Sequence, residues 1–336
     1  MKNKLLITSA LVGALAIAGS AVAETKISGS ASYTYSFLGS DTVGAGHQGY
    51  GSEVQLDIAN SGDLNVGGLK YKAGFSMEKD GSDTAGDWGE GNYFSVVSGK
   101  TEVMFNRDKA PNLSQSATPR VGQMLNTQGA GTTFSSYDYS PGTLAKDQFN
   151  VALIQGTDVG TISLVYAPKV GDTGGVNDGV LASSQLGGSV MDIVYSGNLG
   201  VKGLSAVAGY SKMQKQTGTV VHVADNTAKQ LGIGYNFGQF AVGVTRNRAT
   251  ATTDVDTTST EYGATFAVSD NMSIGILHGI GDTDRAAENE KLTSATIGYN
   301  LGPATLEVYF LQLEDAGGSA TAKDQEKAAV RISTKF

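Results

Sequence analysis

The chain has 336 residues, of which 46 are glycine, none is cysteine and only 17% are charged. Glycine is about twice as frequent as the usual 7%, and charged residues fall short of the usual 25% or so. The lack of cysteine excludes disulfide scaffolds, zinc ribbons, iron–sulfur clusters and thiol catalysis, and a net charge of −8 argues against a general nucleic-acid-binding protein.

The first 23 residues have the three parts of a secretory signal peptide. Lys2 and Lys4 give a basic start, an apolar stretch follows, and residues 21–23 (Ala-Val-Ala) form a small-x-small cleavage site. We predict a signal peptide over residues 1–23, with cleavage between Ala23 and Glu24. A mature chain of 313 residues would keep 22 basic and 32 acidic residues, a net charge of −10.

After the predicted cleavage site, no apolar run is long enough for a membrane-spanning helix. The longest uninterrupted run has four residues, as at 151–154 and 308–311, whereas a spanning helix needs about 20. Two options remain for an exported chain of this kind, a soluble β-protein and a closed transmembrane β-barrel.

Alternation of apolar and polar residues begins at the mature N-terminus, where the apolar members run from Ile27 to Phe37 at every second position. This period of two predicts β-strands with two different faces. The same pattern recurs in chain order at 54–58, 69–77, 149–153, 162–166, 191–195, 204–210, 231–235, 240–244, 262–266, 274–276, 295–299, more weakly at 305–313, and at 330–336.

Short and long connections alternate between these segments, as in a barrel whose hairpins open on opposite sides of a membrane. The short connections are rich in Gly, Asn, Asp and Ser, as tight hairpins require, and lie at 60–63, 98–100, 156–160, 237–238, 269–271 and 300–303. The long ones are polar and lie at about 39–51, 79–91, 107–147, 168–188, 213–228, 247–259, 281–291 and 314–327. Eight long loops predict sixteen strands, with 132–139 assignable either to the sixth strand or to the third long loop.

The two faces of these strands differ in the way that lipid and water would require. One face is apolar and carries aromatic residues near the segment ends, whereas the other carries Ser, Thr, Gly, Lys, Gln and Asp. We expect the lumen-facing glycines to mark places where a strand needs no side chain beside a water-filled channel: Gly74, Gly232, Gly234, Gly243, Gly263 and Gly275. The sequence therefore predicts an all-β fold, a transmembrane antiparallel β-barrel of about 16 strands over residues 24–336. Long loops lie on one side and short turns on the other.

Five features together carry a family resemblance: the signal peptide, the strand 27–37, the segment Gly-Lys-Thr-Glu-Val-Met-Phe-Asn-Arg at 99–107, the segment Ala-Thr-Ile-Gly-Tyr-Asn at 295–300, and a C-terminal Phe336. They are similar to the general porins of the Gram-negative outer membrane, of the alphaproteobacterial type. The resemblance implies a sixteen-stranded barrel, a homotrimer, and recognition of Phe336 by the outer-membrane assembly machinery. Outer-membrane lipid and lipopolysaccharide would then surround the protein.

The resemblance also implies that the third long loop, at about 107–147, folds into the lumen and forms a constriction. Family members set acids on this loop against bases on the wall, which gives a transverse field. The matching bases would be Lys70, Lys72 and Arg107, and the opposing acids would be Asp108 and Asp138.

Two details depart from that arrangement. Arg120 places a positive charge on the loop itself. Strict alternation also puts Arg107 on the lipid side with Val103 and Phe105, so that a β-bulge near Asn106 would be needed to turn it inward.

Other charges are assigned to the lumen or to the loops. Glu53, Asp57 and Arg331 are predicted to line the pore, and Asp192 and Glu261 also fall on the lumen face. Several loops are acidic, which predicts a weak preference for cations. The acid pairs Asp254/Asp256 and Asp282/Asp284 are candidates for Ca²⁺ or Mg²⁺; no other cofactor is expected.

Catalytic patterns are absent from the sequence, and we predict that the protein is not an enzyme. The motif Gly99-Lys100-Thr101 ends like a phosphate-binding loop, but Phe94 stands where that loop requires glycine. We interpret the chain as an outer-membrane porin for passive diffusion of small hydrophilic solutes and ions, without nucleic acid as a partner. A substrate-selective porin and an exported structural or adhesive β-protein are the alternatives.

Overall fold

A computed structural model describes residues 23–40, 47–80, 87–106, 116–121, 149–168, 189–214, 226–250, 256–284, 286, 288–315 and 324–336. Within these ranges the chain forms sixteen strands: β1 (Glu24–Ser40), β2 (His47–Asp63), β3 (Lys70–Asp80), β4 (Asp87–Ser98), β5 (Thr101–Asn106), β6 (Asn150–Gly156), β7 (Gly160–Ala167), β8 (Val190–Gly197), β9 (Leu204–Met213), β10 (Asn226–Asn236), β11 (Phe240–Thr250), β12 (Asp256–Ser269), β13 (Met272–Thr283), β14 (Glu290–Asn300), β15 (Ala304–Glu314) and β16 (Gln325–Lys335). No helix in the part of the chain that is described has the length and apolar character to cross a membrane.

The strands form one closed antiparallel barrel in which each strand pairs with its neighbours in sequence and β1 pairs with β16. Tyr33 lies opposite Ile332 at this seam. Two backbone hydrogen bonds extend the seam beyond β16, from Gly29 N–H to the Phe336 carbonyl (2.9 Å) and from Phe336 N–H to the Gly29 carbonyl (3.0 Å). The predicted barrel of sixteen antiparallel strands is confirmed.

Long and short connections alternate as predicted, with one misplaced turn and one missed turn. The predicted turn at 60–63 lies inside β2, and the connection is 64–69. Asn60 remains in a strand because its side chain is satisfied there: its Nδ2 donates to Thr25 Oγ1 (2.9 Å) and its Oδ1 accepts from the Tyr71 hydroxyl (2.5 Å). The turn at 198–203, between β8 and β9, was not predicted.

The outer face of the barrel is an apolar belt. Leu231, Ile233 and Tyr235 in β10 are 70%, 52% and 43% exposed, while the residues between them are buried on the inside. Aromatic rings stack on one another at the short-turn end. The ring centroids of Phe237 and Phe240 are 6.0 Å apart, and those of Phe240 and Phe266 are 4.5 Å apart. Such a girdle is typical of the interface between lipid and water.

The inner face is less uniformly polar than the alternation pattern predicts. Leu277, Leu292, Leu311 and Leu313 point inward and are at most 1% exposed. They form one apolar cluster with Val121. The pattern at 305–313 was weak because β15 carries apolar side chains on both of its faces.

Residues 1–22 of the predicted signal peptide lie outside the described residues, so that cleavage after Ala23 stays a prediction. Arg107, Asp108, Asp138, Asp254 and the range 132–139 also lie outside the described residues. The sixth strand is Asn150–Gly156.

Candidate functional site

Residues 116–121, which we call the inward segment, lie inside the barrel against the inner faces of β10 to β14. They belong to the long connection between β5 and β6, which was predicted to fold into the lumen. Ala117, Thr118 and Val121 are 5–7% exposed. The segment therefore occupies part of the lumen and is covered by the wall on one side.

A row of three glycines on adjacent strands forms the seat of the inward segment. Gly234 of β10 lies opposite Gly243 of β11, which lies opposite Gly263 of β12. A Cβ atom on Gly263 would lie 2.4 Å from the Thr118 Cγ2 and 2.6 Å from the Pro119 carbonyl oxygen. Real Cβ atoms do not approach other heavy atoms this closely.

The other two glycines of the row are equally close to the inward segment. A Cβ on Gly234 would lie 2.3 Å from the Ala117 carbonyl oxygen, and a Cβ on Gly243 would lie 2.5 Å from the same atom. We had expected these glycines to line open water. Instead, they let the backbone of the inward segment approach the wall, and any side chain in the row would push the segment toward the pore axis.

Thr245, one inward position farther along β11, holds the inward segment by hydrogen bonds. Its Oγ1 accepts from the Ala117 backbone N–H (3.0 Å) and from the Thr118 hydroxyl (2.9 Å), and it lies 3.0 Å from the Ser116 Oγ. Thr245 is 1% exposed. A single buried hydroxyl thus bonds to three polar groups of the segment. Two of them, the Ala117 N–H and the Thr118 hydroxyl, are buried and would otherwise be desolvated without compensation.

An ion pair joins the inward segment to β12. Nη2 of Arg120 donates to Oε2 of Glu261. The Glu261 side chain is 1% exposed and that of Arg120 is 26% exposed. An isolated buried carboxylate is costly, and the Arg120 guanidinium supplies the positive charge that offsets this cost at Glu261.

Apolar contacts anchor both ends of the inward segment. Ala117 belongs to a cluster of inward-facing residues on β6 to β9, which includes Ala152, Val165, Val194 and Val207. Val121 belongs to the leucine cluster on β13 to β15. The two clusters lie on either side of the glycine row, so that the segment is held by packing at its ends, by hydrogen bonds at Thr245 and by charge at Arg120.

Two cavities border the inward segment at the short-turn end of the barrel. One, of about 420 Å³, is lined by Arg120 and Val121 and by wall residues that include Thr305 and Glu307. The other, of about 400 Å³, borders Ser116 and Ala117. The segment therefore narrows the lumen in the half that faces the short turns.

The predicted wall bases lie on β3, as the alternation required. Lys72 is exposed and its Nζ lies 2.7 Å from Oε2 of Glu102 on β5. Lys70 is exposed at the start of β3. At the inward segment itself, the loop contributes a base, Arg120, and the wall contributes an acid, Glu261. The predicted opposition of Asp108 and Asp138 to the wall bases stays a prediction, because both acids lie outside the described residues.

The remaining predicted pore residues also lie on the inner face. Asp57 accepts hydrogen bonds from the Ser76 hydroxyl (2.6 Å) and the Gln55 amide (3.2 Å). Arg331 of β16 lies opposite Glu307 of β15. Glu53 is partly buried on the inner face of β2.

Of the candidate metal ligands, Asp256 and Asp284 lie close to each other. The Asp256 carboxylate contacts the Arg248 guanidinium and the Thr250 hydroxyl (2.5 Å). Asp284 Oδ2 accepts from the Asp256 backbone N–H at 3.3 Å, and Asp282 is exposed on β13. Within the described ranges, no group of three or more His, Asp or Glu side chains is arranged to hold a metal ion, and the prediction of Ca²⁺ or Mg²⁺ binding stays untested.

Sequence reasoning placed Glu261 on the lumen face without assigning it a partner, and it did not single out Thr245. The signal that could have found this site is the coincidence of glycine at the same height on three adjacent strands. That coincidence becomes visible only when the register between strands is known, because each glycine alone is ordinary.

Several solved porins have the same fold. The anion-selective porin from Comamonas acidovorans has a TM-score of 0.70 at 17% identity, with coverage of 94% of this chain and 100% of that one. The trimer form of OmpT from Vibrio cholerae has a TM-score of 0.63 at 14% identity, covering 94% and 99%. A triple mutant of the Rhodopseudomonas blastica porin has a TM-score of 0.60 at 14% identity, covering 93% and 100%.

No curated protein sequence matches the chain. The sequence itself matches the family described as Gram-negative porin over residues 8–314, which is more than half of its length. With a closed sixteen-stranded barrel, an apolar outer belt and a loop segment seated in the lumen, the chain belongs to the Gram-negative porin family and resides in the outer membrane.

Proposed function

We propose that the protein is a general porin, through which small hydrophilic solutes and ions diffuse passively across the outer membrane. The observation that carries this proposal is the inward segment, seated on the glycine row by packing, hydrogen bonds and an ion pair. A closed barrel with an apolar outer belt separates lipid from lumen, and a fixed segment in that lumen sets an upper limit on solute size. No enzymatic activity and no nucleic-acid partner are proposed.

The test is conductance across a planar lipid bilayer. Purified protein should give large, ohmic current steps, and a series of sugars of increasing size should give a sharp exclusion limit. Absence of conductance from protein that still migrates as a folded, heat-modifiable barrel on gels would contradict the proposal.

We also propose a homotrimer of the alphaproteobacterial general-porin type. The trimer form of a porin with the same fold supports this assembly, and the sequence segments at 27–37, 99–107 and 295–300 support the subtype. Channel closure in three equal steps under high voltage, together with the mass of the detergent complex, tests the trimer.

A weak preference for cations is proposed for the channel, because the mature chain would carry a net charge of −10. Compensated pairs at the inward segment and between Lys72 and Glu102 leave the acidic loops as the main source of selectivity. The reversal potential in a tenfold KCl gradient gives the sign, and an anion preference would overturn this part of the proposal.

A substrate-selective porin is the second candidate, and one observation favours it. Arg120 is partly exposed at a cavity of about 420 Å³ whose wall includes Glu307, so that positive and negative groups border one space large enough for a small polar solute. Block of the ionic current by one amino acid or sugar at millimolar concentration, among a panel that does not block, would favour this function. The family membership gives no support to an exported adhesive protein.

We propose further that the chain has the partners of other outer-membrane barrels. Phe336, which is 65% exposed at the short-turn end of the barrel, is the proposed signal for the assembly machinery, and outer-membrane lipid, including lipopolysaccharide, surrounds the apolar belt.

A further inference from the structure

Three basic side chains lie close together on the outer face of the barrel, on the side that faces lipid rather than the lumen. They are Lys229 of β10 and Arg246 and Arg248 of β11, which we call the basic patch. All three are exposed, and they alternate with buried inward residues such as Gln230 and Asn247. Their outward direction is therefore fixed by the pleat of the strands.

The strand register makes the three basic residues neighbours on one face of the sheet. Lys229 lies opposite Arg248, and Arg246 lies opposite Leu231, the next outward residue of β10. Directly opposed side chains have Cβ atoms about 4.5–5.5 Å apart, and like charges in that position destabilise a sheet. A bound anion would offset the repulsion between these like charges.

The protein supplies only part of this negative charge. Arg248 forms an ion pair with Asp256 of β12, in which the side chains are 59% and 25% exposed. Neither Lys229 nor Arg246 forms an ion pair within the described residues. Lys212, on the outward face of β9, adds a further positive charge beside the patch.

The position of the patch relative to the apolar belt indicates the kind of anion. Going along β10 from the short turn, Tyr235, Ile233 and Leu231 are exposed apolar residues, and Lys229 follows directly. Tyr210 of β9 lies opposite Lys229 and is exposed on the same face. Long basic side chains at such a boundary extend toward the headgroups.

The two ends of the same strands differ in a way that fits the two leaflets of the membrane. The short-turn end carries the stacked rings of Tyr235, Phe237 and Phe240, whereas the long-loop end carries the basic patch. Short turns face the periplasm and long loops face the exterior in barrels of this class. The patch is therefore at the level of the outer-leaflet headgroups.

We propose that the basic patch binds the phosphate groups of an outer-leaflet lipid headgroup. This proposal rests on the proposed function, since it requires the chain to sit in the outer membrane as a barrel. Two arginines and a lysine on neighbouring strands suit a phosphate, which arginine binds through two parallel hydrogen bonds. The lipid's acyl chains lie along Leu231 and the other apolar residues below the patch.

The test is titration of the purified protein, in neutral detergent, with diphosphoryl lipid A and with the same lipid after removal of its phosphates. The Lys229→Gln, Arg246→Gln double variant should bind diphosphoryl lipid A about twenty-five-fold more weakly than the wild type, since each of the two cations contributes about a fivefold effect. The matched control is Lys79→Gln, an exposed lysine at the long-loop end of β3, which should bind like the wild type. Replacing Arg246 by Lys instead of Gln should retain part of the affinity for diphosphoryl lipid A, because the positive charge is kept.

Equal binding of the two lipids by the wild type, or equal binding of diphosphoryl lipid A by the double variant and the wild type, would overturn the proposal. Competition by inorganic phosphate at concentrations comparable to the lipid would also overturn it, because the site would then take free phosphate. Salt should weaken wild-type binding, a measurement that requires no variant. Conductance in neutral bilayers should be the same for the wild type and the double variant. If the wild type itself does not conduct, that result contradicts the proposed channel function and not the proposed lipid site.

Discussion

Arg120 in the inward segment and Glu261 on β12 form an ion pair that crosses from a loop to the barrel wall, and the carboxylate is 1% exposed. Its two residues are 141 positions apart in the chain. The pair holds the inward segment against the wall and also sets the charge in the narrow half of the lumen. A substitution of either residue therefore changes both the position of the segment and the local charge.

Glu261→Gln should shift the channel toward anions. The substitution removes one negative charge from the wall and leaves the Arg120 guanidinium without its carboxylate partner. We expect a loss of stability of about 1–3 kcal/mol, below the range for a fully buried pair because Arg120 is partly exposed. The reversal potential in a KCl gradient measures the selectivity, and Glu53→Gln is the control for removal of a wall acid on β2, outside the strands β10 to β14 that face the segment. An equal shift in both variants would show that the pair has no special role.

Gly263→Ala should displace the inward segment. The added methyl group would lie 2.4 Å from Thr118 Cγ2 and 2.6 Å from the Pro119 carbonyl oxygen, and overpacking of this kind costs about 1–3 kcal/mol. We expect a lower single-channel conductance and a noisier open state. Gly51→Ala is the matched control, because nothing lies within 4 Å of a Cβ at Gly51, and identical currents from the two variants would contradict the assigned seat.

Thr245→Val should loosen the inward segment while keeping the volume of the side chain. The change leaves the Ala117 N–H and the Thr118 hydroxyl without their acceptor and removes the hydrogen bond between Thr245 and the Ser116 hydroxyl, at a cost of about 1–3 kcal/mol. Trypsin should then cleave after Arg120 faster than in the wild type, as N-terminal sequencing or mass spectrometry of the fragments would reveal. Thr293→Val, at an exposed outward position beside His278, should not change the rate at that site.

Lys72→Gln should increase cation selectivity without a measurable change in stability. Its pair with Glu102 is 2.7 Å long, but the lysine side chain is 46% exposed, and such pairs contribute about 0–1 kcal/mol. The remaining Glu102 carboxylate would add negative potential to the lumen. Reversal potentials and thermal unfolding of the two proteins check both halves of this prediction, and a large loss of stability would mean that the pair is more buried in the assembly.

Deletion of Phe336 should lower the amount of folded barrel in the outer membrane. It removes two backbone hydrogen bonds with Gly29 at the seam between β1 and β16 as well as the exposed terminal ring. Phe237→Ala, which removes another exposed aromatic ring at the short-turn end, is the control for loss of girdle area alone. Heat-modifiable migration of outer-membrane fractions measures the folded amount, and equal yields from the two variants would remove any special role of the C-terminus.

The strands and their outward faces could be predicted because a period of two is a local property. Leu231, Ile233 and Tyr235 show their common face within one strand, without knowledge of any neighbour. The turn at 60–63 was wrong because turn-forming residues are also stable in a strand when partners satisfy them, as Thr25 and Tyr71 satisfy Asn60. Partners from other strands are not visible in a local window.

The contacts of the inward segment could not be predicted for the same reason. The pairing of Arg120 with Glu261 depends on where the loop backbone crosses the wall, and the crossing depends on glycines from three strands. The expectation of acids on the loop came from family resemblance, and its residues Asp108 and Asp138 lie outside the described part of the chain. Arg120 departs from that expectation, and it is the charged residue of the loop that contacts the wall, through Glu261.

The seat of the inward segment has a consequence for protein engineering. Because the seat is made by the absence of side chains at Gly234, Gly243 and Gly263, grafting the loop alone into another sixteen-stranded barrel would not transfer its position. The recipient would need glycine at the same three cross-strand positions and a threonine at the place of Thr245. Pore size in this barrel is therefore a property shared by a loop and a patch of wall, and redesign of one requires redesign of the other.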